Sequence, residues 1–379
     1  MEQGIKKAIL FLVILLNGII TGLATRINDE HKTLPIGSSA PDFNLMGVDG
    51  KMYSLSSFKK AEILVIIFTC NHCPTAQAYE DRIIRLTSDY ANKNVAVVAI
   101  NPNDPKSLRL DELDFSDIGD SFEEMKIRAK EKNFNFPYLY DGETQAVARA
   151  YGPVATPHVF IFDKNRKLQY AGRVDDTENP YKKPGSQDAR MAIDAILQNR
   201  DVLVKTTKVF GCSIKWSEKR STVEQALEKW AKEPVTLNLI DEKGIQTLRE
   251  NASGKLRLIN VWATSNAESM EEFQEFITIN RMYRDRDFEF ISFSADKSAD
   301  VNDVLTFLKK QQASNANYFF GPGDKNQLVQ LLNPSWNGQL PYTLLIEPGG
   351  KIVYAKSGVI NPAALKKTIV ENHLIGRYP

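Results

Sequence analysis

The chain has 379 residues, too many for one compact domain, and its 42% hydrophobic and 25% charged residues give a globular protein with a sizeable core. Lys and Arg number 48 against 47 Asp and Glu, which leaves no electrostatic footprint for nucleic acid or an anionic membrane surface. With 3 cysteines, Cys70, Cys73 and Cys212, the chain lacks the four ligands of an all-cysteine structural zinc site.

At the start, Lys6 and Lys7 precede an apolar run from Ala8 to Ile20, and Gly22-Leu23-Ala24 supplies small residues at the spacing a signal peptidase prefers. Residues 1–24 therefore read as a secretory signal peptide. The alternative is an uncleaved anchor, since Ala8 to Ala24 is close to the lower limit for a span. Either way the remainder is expected to be exported, to the periplasm or the extracytoplasmic face if the source is bacterial, with a membrane contact only if the leader is uncleaved. No cysteine follows the run at a lipoprotein position.

After a polar linker, Pro41 to Leu45 and Lys51 to Leu55 flank a Val48-Asp49-Gly50 turn and read as a hairpin, followed by a short helix ending at Phe58 and Lys59. Ile63 to Phe68 is an uninterrupted apolar strand. Thr69-Cys70-Asn71-His72-Cys73-Pro74 follows, and then a helical pattern to Tyr90 with Ala76, Ile83, Ile84 and Leu86 inward and Glu80, Asp81, Arg82 and Arg85 largely outward. A C-x-x-C pair between strand and helix puts a sulfur at the helix N-terminus, where free N–H groups and the dipole favour thiolate. Cys70, exposed at the helix start, is the expected attacking thiolate and Cys73 the resolving thiol. An inert bridge over so small a ring would stabilise weakly. His72, as imidazolium, would favour the thiolate further and make the pair more oxidising.

Val95 to Ile100 is a strand apolar on both faces. Asp111 to Asp120 reads as an acidic, solvated surface loop. Ser121 with Glu124 is a capping box, Phe136 to Tyr140 a short strand, and Thr144 to Tyr151 a helix that leads to Thr156-Pro157. His158 reads as a packed or surface histidine. Asp188 to Asn199 is the last helix before Gly211-Cys212-Ser213, where Cys212 is either a third redox sulfur or a small residue in a packed tail.

The strand, C-x-x-C and helix, with Thr156-Pro157, the Phe160 to Leu168 hairpin, Arg173-Val174-Asp175-Asp176 and Gly211 to Trp216, resemble the thioredoxin superfamily on its peroxiredoxin-like (redoxin, AhpC/TSA-like) branch. The resemblance covers residues 34–216 and implies a cis Thr156-Pro157 bond beside the cysteines, with Thr156 and Pro157 positioning an extended substrate segment.

Residues 217–233 read as a linker helix, and from Pro234 to the end of the chain at residue 379 the pattern repeats. Val235 to Ile240 and Ile245 to Leu248 flank an Asp241-Glu242-Lys243-Gly244 turn and read as a second opening hairpin. Leu256 to Ser269 resembles the strand and W-A-x-W-C-x-x-C segment of TlpA-like thioredoxins, with Asn266 and Ser269 in the cysteine positions and Leu340-Pro341 where the cis-proline stands. Met270 to Tyr283, Phe288 to Phe293, Ala299 to Gln311 and Leu344 to Tyr354 supply helix, strand, helix and closing hairpin. The fold expected is α/β: two tandem thioredoxin-like folds, each a mixed sheet with helices on both faces, the second without redox sulfurs.

The function expected is an exported thiol–disulfide oxidoreductase acting on protein thiols or disulfides with a redox partner protein, without cofactor, metal or nucleic acid. Two alternatives stand beside it. One is a peroxiredoxin-type peroxidase with Cys73 peroxidatic, Cys70 or Cys212 resolving and Arg173 activating. The other is a thioredoxin-fold copper carrier using the two thiolates with His72 or His158.

Overall fold

The computed structural model describes residues 31–378 apart from 143, 298, 299 and 321–324, so the leader expected over 1–24 lies outside the described residues. Among the described residues no helix is long and apolar enough to cross a membrane.

The first unit runs β1 (Asn44–Gly47), β2 (Met52–Ser54), β3 (Ile63–Phe68), α1 (Pro74–Tyr90), β4 (Val95–Asn101), α2 (Phe122–Lys132), β5 (Tyr138–Tyr140), α3 (Ala146–Tyr151), β6 (Ala155–Thr156), β7 (His158–Phe162), β8 (Leu168–Gly172) and α4 (Asp188–Leu197). Its 7-stranded sheet has the order β2-β1-β5-β4-β3-β7-β8, with β3, β4 and β5 parallel and β7 and β8 antiparallel at one side. Every β3 residue is buried because alternate side chains serve different layers. Ile63, Val65 and Ile67 pack with Tyr79 and Ile83 of α1 and Ile193 of α4. Leu64, Ile66 and Phe68 pack with Val147 and Tyr151 of α3. Burial of each such side chain contributes about 1.5–3 kcal/mol, so this strand anchors whatever follows it.

Of the four polar α1 residues expected largely outward, Asp81 and Arg85 are exposed but Glu80 and Arg82 are buried. Arg128 of α2 grips Glu80 with two hydrogen bonds of 2.7 Å, and Arg82 Nη1 donates to Asp175 Oδ1 at 2.8 Å. Further layers of chain cover α1, and these charges are buried only because they are paired.

β9 (Cys212–Ser213) and α5 (Arg220–Ala231) lead to the second unit: β10 (Asn238–Ile240), α6 (Glu242–Glu250), β11 (Leu256–Trp262), α7 (Ala267–Tyr283), β12 (Phe288–Ser294), α8 (Val301–Lys310), β13 (Ala316–Phe320), α9 (Lys325–Leu332), β14 (Tyr342–Ile346), β15 (Ile352–Ser357) and α10 (Pro362–Glu371). Its 6-stranded sheet, β10-β13-β12-β11-β14-β15, repeats the parallel centre and antiparallel closing hairpin. The opening hairpin expected over Val235 to Leu248 is absent. Asp241 instead caps α6, its carboxylate accepting the Gly244 N–H at 2.8 Å, and Ile245 is buried one turn in. β10 pairs parallel with β13. The Asp cap and the helical spacing of Ile245 and Leu248 outweigh the turn signal of Lys243-Gly244.

The acidic segment from Asp111 to Asp120 is not a solvated loop either. Leu113 joins the core of the second unit, with Leu108 and Leu110 packed against it. The Ser116 carbonyl accepts from Tyr283 Oη at 2.8 Å, Arg377 Nη1 meets Asp117 Oδ1 at 2.6 Å, and Arg286 lies over the Phe115 ring at 3.7 Å. The two units thus clamp this segment between them: Asp114 and Asp117 meet Arg286 and Arg377 of the second unit, while Asp111 and Glu112 pair with Arg109 and Lys215 of the first.

Candidate active site

β3 ends at Phe68 and α1 begins at Pro74, a proline at the first helical position, so the residue capping α1 is Cys73. This corrects the expectation that Cys70 is the exposed sulfur at the helix start: Cys70 is 3% exposed and Cys73 0%. Cys212, only partly buried, completes a group of three sulfurs around Ala76.

Cys73 Sγ accepts the backbone N–H of Cys212 at 3.2 Å, and the Thr156 carbonyl lies 3.5 Å from it. Cys70 Sγ stands 3.0 Å from Thr156 Oγ1. Burial pushes the Cys73 thiol up, but hydrogen bonds from the Cys212 and Cys70 thiols, the His72 charge and the Ala76 N–H reverse this and hold it well below the ordinary thiol range. Cys70 is pushed well above that range by burial, by its hydrogen bond to Cys73 and by the charge of Asp120. Cys212 is raised too, first by its hydrogen bond to Cys73 and then by burial. One thiolate served by two thiols is the arrangement, and Cys73 carries it.

His72 is buried with its Nδ1 2.6 Å from Asp120 Oδ2. Burial lowers the imidazole pKa, the Asp120 charge and hydrogen bond more than restore it, and the net shift is upward. Asp120 in turn is raised by burial, lowered more by His72, Asn103 and the Asn71 N–H, and ends below the usual carboxylate range. Its Oδ1 also accepts the N–H of Asn71 at 2.8 Å and of His72 at 3.2 Å. Both shifts favour imidazolium with carboxylate, and the His72 charge lowers the Cys73 pKa. Asp120 is the site residue that sequence reasoning missed, 48 positions from His72 in a segment read as solvated.

The remaining candidates divide. The Thr156-Pro157 bond is cis, as the resemblance implies, and Leu340-Pro341 is cis in the second unit. Arg173 pairs through Nε with Asp188 Oδ2 at 2.8 Å, and its hydrogen bonds involve Asp188, Thr207 and Tyr170 rather than any sulfur, against an activating role. His158 packs on Phe160 with ring centroids 4.5 Å apart, and burial lowers it to about 3, so it is neutral. Cys70, His72 and Asp120 bring one ligand atom each within 4.8 Å of one another, but a metal there would have to break the His72–Asp120 pair. In the second unit Asn266 caps α7, as Cys73 caps α1, and accepts the Ser269 N–H at 2.7 Å. Ser269 thus lies one turn inside the helix, where the first unit has Ala76 rather than a cysteine.

The Redoxin family model matches residues 35–188. Thiol-disulfide oxidoreductase ResA of Geobacillus thermodenitrificans (strain NG80-2) is 23% identical over 170 residues, 44% of this chain and 86% of that protein. Among solved structures, an uncharacterized conserved protein from Geobacillus kaustophilus is 41% identical, with TM-score 0.44, covering 49% of this chain and 94% of its own. A hypothetical protein from Sinorhizobium meliloti 1021 is 34% identical, also with TM-score 0.44, over 49% of this chain and 97% of its own. The family match falls on the sheet, helix and sulfur pair described above, and with it the first unit is a redoxin-like domain of the thioredoxin superfamily.

Proposed function

We propose that this is an exported enzyme that exchanges disulfides with protein substrates through Cys70 and Cys73, working with a separate redox partner protein. The observation that carries the reading is the seat of Cys73: cap of α1, acceptor of the Cys212 N–H at 3.2 Å, and neighbour of a second thiol on Cys70. A sulfur so stabilised is a good leaving group when the Cys70–Cys73 bond is attacked, and a reduced form so stabilised makes the pair a stronger oxidant. His72 supplies the charge, while Thr156 and Pro157 position the segment that approaches the sulfurs. The apolar N-terminal stretch supports export.

The test is thiol–disulfide exchange with a protein, followed as reduction of insulin or as disulfide formation in reduced ribonuclease. Loss in both Cys70→Ser and Cys73→Ser supports the reading, and unaltered turnover in both overturns it. A second reading, peroxidase chemistry at Cys73, is favoured by the thiolate lying on Cys73 rather than Cys70. Hydrogen peroxide turnover that survives Cys70→Ser but not Cys73→Ser would support it.

A further inference from the structure

Both sulfurs of the pair are buried, at 3% and 0% exposure, so a folded protein substrate cannot reach either directly. What covers them is the chain's own tail. Cys212 and Ser213 form β9, antiparallel to β6, with Thr156 opposite Cys212 and Ala155 opposite Ser213. An extended substrate would pair with this same edge by strand addition. The tail presents a cysteine there, and the backbone N–H of that cysteine already bonds to Cys73 Sγ.

The seat is built for this approach. Gly211 has φ +132, and a Cβ on it would stand 2.0 Å from the Thr156 carbonyl oxygen. Only glycine lets the tail come so close. On either side the tail is held fast: the Arg173 N–H donates to Thr207 Oγ1 at 2.9 Å, and the Lys215 N–H donates to Asn103 Oδ1 at 2.9 Å. Ile214 is buried, whereas Cys212 itself keeps access to solvent.

We infer that Cys212 is the sulfur through which disulfides enter and leave the buried pair, held in the place of a substrate strand by its own chain. The inference rests on the oxidoreductase reading above. In the oxidising direction the Cys212 thiol gives up its proton and its thiolate attacks Cys73 Sγ. A Cys73–Cys212 bond forms as the Cys70–Cys73 bond breaks, and Cys70 leaves as a thiolate and takes up a proton. The step is an isomerisation and needs no outside oxidant. A thiolate of a partner dithiol then attacks Cys212, releasing Cys73 as the stabilised thiolate. The partner's second thiol displaces Cys212 from the mixed disulfide, so the partner leaves with a disulfide and the enzyme with three thiols. Reduction of a partner runs the same steps backwards. Cys73 is suited to the partner's attack on Cys212, the step in which it leaves, because the sulfur released most readily is the most acidic one.

The experiment uses the full chain. Reduced Cys70→Ser is treated with one equivalent of diamide and mapped by mass spectrometry, and protein-disulfide exchange is compared across wild type, Cys70→Ser, Cys73→Ser, Cys212→Ser and Gly211→Ala. A Cys73–Cys212 disulfide is expected in Cys70→Ser. Exchange in Cys212→Ser should fall by about tenfold or more even though that variant still closes the Cys70–Cys73 bond with diamide. Gly211→Ala, which keeps all three sulfurs but displaces the tail, should lower exchange as well. Wild-type exchange in Cys212→Ser, or failure of Cys73 and Cys212 to join, overturns the relay alone. Wild-type exchange in both Cys70→Ser and Cys73→Ser overturns the oxidoreductase reading and the relay with it.

Discussion

His72 Nδ1 and Asp120 Oδ2 stand 2.6 Å apart with side-chain exposures of 2% and 0%, an ion pair removed from water beside the sulfurs. Such a pair does not gain much stability over an apolar substitute, because desolvation offsets the attraction, but losing one partner strands the other. Asp120→Asn should therefore cost about 3–5 kcal/mol of stability. It should also raise the Cys73 pKa by removing the support for the imidazolium. Urea unfolding and the ultraviolet absorbance of the thiolate report the two effects separately.

The pH dependence of that cost follows from the two shifts. The His72 pKa is raised in the folded state, so its stabilisation is full below the ordinary histidine range and is lost as pH rises through the raised value. The Asp120 pKa is lowered, so its stabilisation is full above the ordinary carboxylate range and is lost as pH falls through the depressed value. The stability gap between wild type and Asp120→Asn should peak between these limits and narrow on both sides. Unfolding midpoints across pH measure it, and a gap that does not vary with pH would contradict the charged pair.

The second unit reaches the site through the segment that carries Asp120. Tyr283 donates to the Ser116 carbonyl at 2.8 Å, and Arg377 Nη1 meets Asp117 at 2.6 Å and Gln77 Oε1 at 3.3 Å. Tyr283→Phe leaves a buried carbonyl without its donor and should cost about 1–3 kcal/mol. Hydrogen exchange of residues 116–120 should quicken in Tyr283→Phe and in Arg377→Ala, with a rise in the Cys73 pKa. A second unit that is only a spacer would leave that pKa unmoved.

Within the second unit, Glu272 is pushed up to about 7, chiefly by burial, with the Ile360 N–H working against it and the charge of Glu268 adding to it. Its Oε2 accepts the Ile360 N–H at 2.9 Å and its Oε1 has no partner among the described residues. A carboxyl raised in the folded state gives stability that is full below the ordinary glutamate range and lost as pH rises through the folded value. Glu272→Gln should therefore be more stable than wild type at pH about 8, by about 1–2 kcal/mol after discounting for solvent screening, and lose that advantage at pH about 4. Thermal unfolding at the two pH values is the check.

Much of the architecture was legible in the chain because local and tertiary signals agree there. The six apolar residues of β3, the cysteine pair after them and the proline before β7 each carry their own signal. Pro74 also marked the helix start, and read as a first-turn proline it would have placed the cap on Cys73 rather than Cys70. The acidic segment misled because several of its carboxylates meet cations far away in sequence, Asp120 with His72, Glu112 with Lys215 and Asp117 with Arg377, which no local pattern reveals. Glu80 and Arg82 misled for the same reason: periodicity marks them as polar, but only the packing of α2 and of the segment around Asp175 shows them paired. Cys212 was visible as a third cysteine, but its place opposite Thr156 depends on where the tail crosses the sheet edge.

The most direct test is to titrate the thiolate by ultraviolet absorbance in the reduced wild type, in Cys70→Ser and in Cys73→Ser. A thiol ionising well below the free-cysteine range should be seen in the first two and be missing from the third. Its persistence in Cys73→Ser together with its loss in Cys70→Ser would contradict the assignment of the thiolate to Cys73.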